Sequence, residues 1–143
     1  MNHNKSFIAI SFASGFTSPN IPIVTFYQGD KQLNFIIDSG SDNNVIDASI
    51  LPKLEYEKIE NKDNIHLTGL NGSQAVQICR VPFRAGDEDY TEEFLVSDTL
   101  AESFKILYRT HAIPLHGMIG SKFLRKNNII LDFVNMIAYN KDK

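Results

Sequence analysis

Phe35-Ile36-Ile37-Asp38-Ser39-Gly40-Ser41-Asp42-Asn43-Asn44-Val45-Ile46-Asp47 is the stretch on which the fold turns. Three apolar residues, two of them β-branched, run directly into Asp38, the pattern of a buried strand that ends by delivering a carboxylate into a turn. Gly40 allows close backbone approach. The hydroxyls of Ser39 and Ser41 can donate to a carboxylate oxygen or to neighbouring backbone. Taken alone, the four residues Asp38 to Ser41 also fit a plain Ser/Gly turn capped by an acid.

Working outward, Ile23 to Tyr27 and Leu33 to Ile37 read as two strands joined through Gln28-Gly29-Asp30-Lys31-Gln32, a hairpin that hands the chain to Asp38. Asn43 to Asp47 reads as a short strand, and Ala48 to Leu54 as a helical turn broken by Pro52. The charged run Glu55 to Asn64 reads as exposed connection. Ile65 to Ile78 alternates around Asn71-Gly72, a strong hairpin signal. Val81 to Arg84 and Glu93 to Val96 read as strands around a solvated acidic turn, Gly86-Asp87-Glu88-Asp89. Asp98 is placed to cap a helix through Ala101, Phe104, Ile106 and Leu107, ending near Tyr108. Ala112 to Leu115 leads a strand into Met118-Ile119-Gly120. A helix over Ser121 to Lys126, stopped by Asn127-Asn128, precedes a hairpin of Ile129 to Phe133 with Met136 to Tyr139 over Val134-Asn135. At the start, Phe7 to Phe12 alternates as a strand and Gly15 to Pro22 is loop.

The chain has 143 residues, 43% of them hydrophobic, which suits one globular domain with its own core. A net charge of −3 offers no attraction to nucleic acid or to an anionic membrane, so neither is an expected partner. No run reaches the roughly 18 apolar residues of a membrane span. Two serines interrupt the apolar start, which disfavours a signal peptide. Cys79 stands alone, so there is no disulfide framework, and a reducing cytoplasm is the expected location, with secretion or a periplasmic site left open.

The Asp38-Ser39-Gly40-Ser41 turn after an apolar strand resembles the active-site loop of aspartic proteases. A second stretch, His116-Gly117-Met118-Ile119-Gly120-Ser121-Lys122-Phe123-Leu124 followed by Ile129 to Phe133, resembles the hydrophobic-hydrophobic-Gly element, helix and strand that close retropepsin-like domains. The resemblance runs from about Ile21 to Tyr139 and is to the single-domain kind found in retroviruses and in bacterial and ubiquitin-shuttle relatives. It implies a mostly β, retropepsin-like closed barrel or sandwich with one or two short helices. The whole chain would be one domain, with a core over 21–139 and an N-terminal strand and loop over 1–20.

The resemblance also implies an aspartic endopeptidase in which Asp38 activates water. Ser39 would brace the two acid loops against each other, and Gly40 and Ser41 would support the carboxylate. The Ile65 to Ile78 hairpin would be the flap over a bound peptide, with Thr68, Gly69, Leu70, Asn71, Gly72 and Ser73 touching substrate. Met118, Ile119 and Gly120 would form the hydrophobic-Gly element, the first two also lining the groove.

The chemistry needs two carboxylates sharing one proton, and the chain carries one such motif. Asp98-Thr99-Leu100 lacks the glycine and Asp132-Phe133 lacks the turn. The second acid is therefore expected from another copy, in a C2 homodimer. The expected partners are thus a peptide or protein substrate and a second copy.

Other chemistries fit poorly. Gly69-Leu70-Asn71-Gly72 and Gly117-Met118-Ile119-Gly120 match a nucleic-acid-clamping loop but lack basic flanks. His3, His66, His111 and His116 have no ligand spacing. Asp38 to Asp42 begins like a calcium loop, but Ser49 stands where a bidentate Glu belongs. No metal or cofactor is expected. The remaining alternative is an inactive peptide-binding or dimerisation module on the same fold.

Overall fold

The computed structural model describes residues 10–11, 21–61, 65–69, 72–100, 102, 104–105, 108 and 113–140, with residues 10–11, 66–69 and 72–75 given by their backbone. The expected strand over Phe7 to Phe12 is seen at Ile10–Ser11 (β1), and the rest of that expectation lies outside the described residues. Ile23–Gln28 (β2) and Lys31–Ile37 (β3) form the first hairpin. Their turn is shorter than expected, only Gly29-Asp30, because Gly29 takes φ +62° and lets Gln28 pair with Lys31.

Six strands close into a barrel. β2 pairs antiparallel with β3. β3 runs parallel to Gly117–Ile119 (β10), and β10 antiparallel to Asn44–Asp47 (β4). β4 runs parallel to Glu88–Ser97 (β9), and β9 antiparallel to Ile78–Ala85 (β8). β8 returns to β2 where Tyr27 faces Arg84. A barrel leaves no long edge for another chain to pair with.

Glu57–Ile59 (β5) adds to β8 as an outside strand, which corrects the reading of Glu55 to Asn64 as plain connection. Charged residues on a short edge strand give no alternation to read, and such charges protect an edge. His66–Gly69 (β6) and Gly72–Ala75 (β7) form a separate hairpin. Ile129–Asp132 (β11), Ile137–Asn140 (β12) and β1 form a three-stranded sheet.

Several boundaries also differ from expectation. β8 and β9 extend until only Gly86-Asp87 is left as the turn, so Glu88 and Asp89 belong to the strand rather than to a solvated loop. Gly86 takes φ +61°, and Arg84 reaches Asp89 at 3.6 Å. Pro52 sits inside a 3-10 helix over Ala48–Lys53 instead of breaking it, and Asp47 caps that helix by accepting from Ser49 N–H. Leu100, Glu102, Phe104, Lys105 and Tyr108 are helical as expected, but Thr99 N–H donates to the Ser97 hydroxyl, one residue before the expected cap. Residues 113–116 are not strand. The β11–β12 turn takes four residues, not two. Asn135 N–H, the Asn135 amide and Val134 N–H all donate to the Asp132 carboxylate and hold its pKa below the usual carboxylate range, and Met136 takes φ +56°.

The core is aromatic. Phe26 stacks on Phe83 at 4.7 Å and Phe35 on Phe94 at 5.5 Å. Phe123, from the helix Ser121–Lys126 (α1), lies 5.6 Å from Tyr90 and 6.0 Å from Phe83. Each such burial is worth roughly 1.5–3 kcal/mol. Ile36 points the opposite way from Phe35 and Ile37, into a second apolar cluster with Ile23, Phe104 and Leu115. Burial on both faces explains why Phe35-Ile36-Ile37 is continuously apolar rather than alternating.

Candidate active site

The rim of the barrel fixes Asp38 through backbone bonds alone. Ile37 N–H donates to Pro22 O at 2.9 Å, and Asp38 N–H to Ile119 O at 2.9 Å. The parallel register of β3 and β10 sets Ile119 against Ile37, so the strand end and the following acid are held by β10. The turn then closes on itself: Ser41 N–H donates to Asp38 O at 3.1 Å, and Gly40 N–H to the Asp38 carboxylate at 3.1 Å.

Beyond the turn the loop meets α1. Ser121 N–H donates to Ser41 O at 2.7 Å, and Lys122 N–H to Asp42 O at 3.1 Å. The first N–H groups of a helix have no partner within it, and here the acid loop's carbonyls supply one. The far end of α1 is tied to β9, where Lys126 Nζ reaches both Glu92 oxygens at 3.1 Å. Gly120 lies where the two segments cross. A Cβ on it would sit 2.6 Å from Asn43 O and 2.7 Å from Ser41 O, so only glycine lets them approach this closely.

Two polar residues of this frame were not legible as site residues. Asn44, 7% exposed, accepts from Gly120 N–H at 3.0 Å and donates to Glu93 O at 3.2 Å, joining β4, β9 and the end of β10. Its only signal is a polar residue at the start of a buried strand. Lys122 Nζ donates to Asn43 Oδ1 at 3.1 Å, a third tie between helix and loop.

The expected site residues fall into place unevenly. Asp38 is half-buried, while Ser39 and Gly40 are exposed. The Ser41 hydroxyl donates to Asn43 O at 2.9 Å, so it braces the loop, and within one chain the carboxylate's support is Gly40 N–H. Ile119 is 1% exposed in the barrel core, which corrects its expected place in the groove wall. Met118, on the opposite face, packs with Val45, Ile78 and Leu95.

In the hairpin, Thr68 pairs with Ser73 and Gly69 with Gly72, while Leu70 and Asn71 lie outside the described residues. This register puts Gly72 in the strand, where the sequence suggested a turn residue. Among the described residues no three His, Cys, Asp or Glu side chains gather as a metal site.

His116 precedes β10. Its N–H donates to Asn34 O, and Asn34 N–H donates back to its Nδ1, both at 2.9 Å. An accepting Nδ1 requires the neutral ring protonated on Nε2. Burial holds the imidazole below its ordinary 6.5, with Asp47 pulling it up and Lys53 pushing it down. The folded state therefore resists a proton that the unfolded chain takes. Stability should be level above about pH 6.5 and fall as the pH drops through that value, until the folded imidazole also titrates. Thermal midpoints between pH 5 and 8 check this. His116→Asn, which keeps an acceptor near the Nδ1 position, should flatten the slope.

No family model matches the sequence, and no curated protein matches it. Among solved structures, the fold is similar to that of the EIAV protease complexed with the inhibitor HBY-793. The TM-score is 0.51 and the identity 16%, over 76% of this chain and 89% of that one. The chain has the mostly β, retropepsin-like fold that its sequence resembles.

Proposed function

We propose that this protein is an aspartic endopeptidase, with Asp38 of two copies forming one catalytic dyad on a two-fold axis. The observation that carries the reading is Asp38 itself: a half-buried carboxylate at a barrel strand's end, on a loop tied to β10 and α1, in a retropepsin-like fold. Two carboxylates held close share one proton, since both cannot readily ionise. The charged one takes a proton from water as the water oxygen bonds to the scissile carbonyl carbon, and the neutral one donates its proton to the carbonyl oxygen. Collapse of the tetrahedral species breaks the C–N bond: the departing amine takes the dyad's proton while one of the two hydroxyls on the carbon returns a proton to the dyad, leaving a carboxylic acid and a free amine. No cofactor or covalent intermediate is required.

The substrate is an extended peptide or protein segment lying between the acid loops and the β6–β7 hairpin, which acts as the flap and meets it through Thr68 to Ser73. The whole chain acts as one domain. A net charge of −3 offers nucleic acid and anionic membranes no attraction, so the proposed partners are the peptide and a second copy. A reducing cytoplasm suits its lone thiol, Cys79, which is buried and pushed up to about 11.

Cleavage of a broad peptide library at pH 4 to 7, with sedimentation at the same concentrations, tests the proposal. Activity should appear and rise with the dimer fraction. A folded dimer that cuts nothing would support the non-catalytic peptide-binding module instead.

A further inference from the structure

The β6–β7 ladder runs from Gly69↔Gly72 to His66↔Ala75. At its root, Val76 N–H reaches Ile65 O only at 3.3 Å. The remaining polar groups there go to one side chain. Asn61 accepts from Ile65 N–H at 2.8 Å and donates its amide both to Ile65 O at 2.8 Å and to Val76 O at 3.0 Å. Asn61 follows β5 and lies in neither hairpin strand, yet it bonds to the residue adjoining each, Ile65 before β6 and Val76 after β7. Ile65 and Val76 also rest on the cluster of Val45, Ile78 and Leu95, with Met118 of β10 in the same layer. Just beyond, Gln77 O accepts from Val96 N–H at 2.9 Å.

We infer that Asn61 is the positioning residue of the hairpin: its amide is the pin that fixes the hairpin's root, and through it the height of the hairpin over the substrate. The role in catalysis rests on the proposed peptidase function; the role as a pin does not. Two of the three bonds serve Ile65 N–H and Val76 O, and the third reinforces Ile65 O beside the long bond from Val76 N–H; no other polar side chain type offers one acceptor and two donors at this reach. Removing them frees the root while the barrel strands keep their own ladders. Substrate binding should weaken, and the chemical step at Asp38, reached through β3 and β10, should not.

Hydrogen exchange of the full-length protein and steady-state kinetics, on Asn61→Ala and on Asn61→Asp, test this. Asn61→Asp keeps the acceptor for Ile65 N–H but turns both donors into an oxygen facing carbonyls. Exchange over residues 65–76 should quicken roughly tenfold in both variants, with β8 and β9 unchanged. KM should rise several-fold with kcat held. Exchange in the hairpin that is unaltered, or raised equally through β9, overturns the pin. Faster hairpin exchange with KM unchanged overturns the positioning role. If wild type cleaves nothing, the peptidase reading fails, and the exchange data alone decide whether Asn61 is a pin.

Discussion

Asp38→Asn is expected to lower peptide hydrolysis by about 10³-fold or more while leaving the unfolding midpoint near that of wild type. Asparagine keeps an oxygen where Gly40 N–H donates at 3.1 Å, and the bonds that hold the loop are made by the backbone of Asp38, not by its side chain. The proton exchanged with water is lost and the fold is kept. Peptide turnover and circular-dichroism melts on the same preparation separate the two effects. Residual turnover within tenfold of wild type would move the acid elsewhere.

The second large effect is on the frame. Gly120→Ala should destabilise the protein by about 3 kcal/mol. Its methyl would enter a space bounded at 2.6 Å and 2.7 Å by the carbonyls of Asn43 and Ser41, which are backbone and have no rotamer to change. Relief requires the acid loop and the end of β10 to part. That would stretch the bond from Gly120 N–H to Asn44 and those from Ser121 and Lys122 N–H to the loop. Asp38 moves with its loop, so kcat in the surviving folded protein should fall by about 10²-fold. Urea unfolding and kinetics at low temperature measure both. A variant within 0.5 kcal/mol of wild type would mean that the two segments do not cross as tightly as described.

Much of this frame is written in short-range sequence. The β2–β3 hairpin, the acid turn and the order β10, α1, β11 follow from local apolar runs, Gly turns and the Asn127-Asn128 stop, because each is decided by neighbouring residues. What escaped was decided by distant ones. β5 exists because β8 offers it an edge, which Glu57-Lys58-Ile59 cannot reveal. Ile119 and Met118 both look like groove residues, and only the register of β10 between β3 and β4 sends one into the barrel core and the other into the cluster of Val45, Ile78 and Leu95 on the opposite face. Asn44, Asn61 and His116 are ordinary polar letters until the fold brings Gly120, Val76 and Asn34 to them. The acid was legible as a motif, and the side chains that hold its surroundings were not.

Subunit mixing tests the shared dyad most directly. Wild type and Asp38→Asn, unfolded together and refolded at a fixed total concentration in varied proportions, give mixed dimers with a single acid. If the dyad needs Asp38 from both copies, the rate follows the square of the wild-type fraction, and an equal mixture keeps about a quarter of full activity. A rate that falls in simple proportion to the wild-type fraction would mean that each chain completes its own site, contradicting the account.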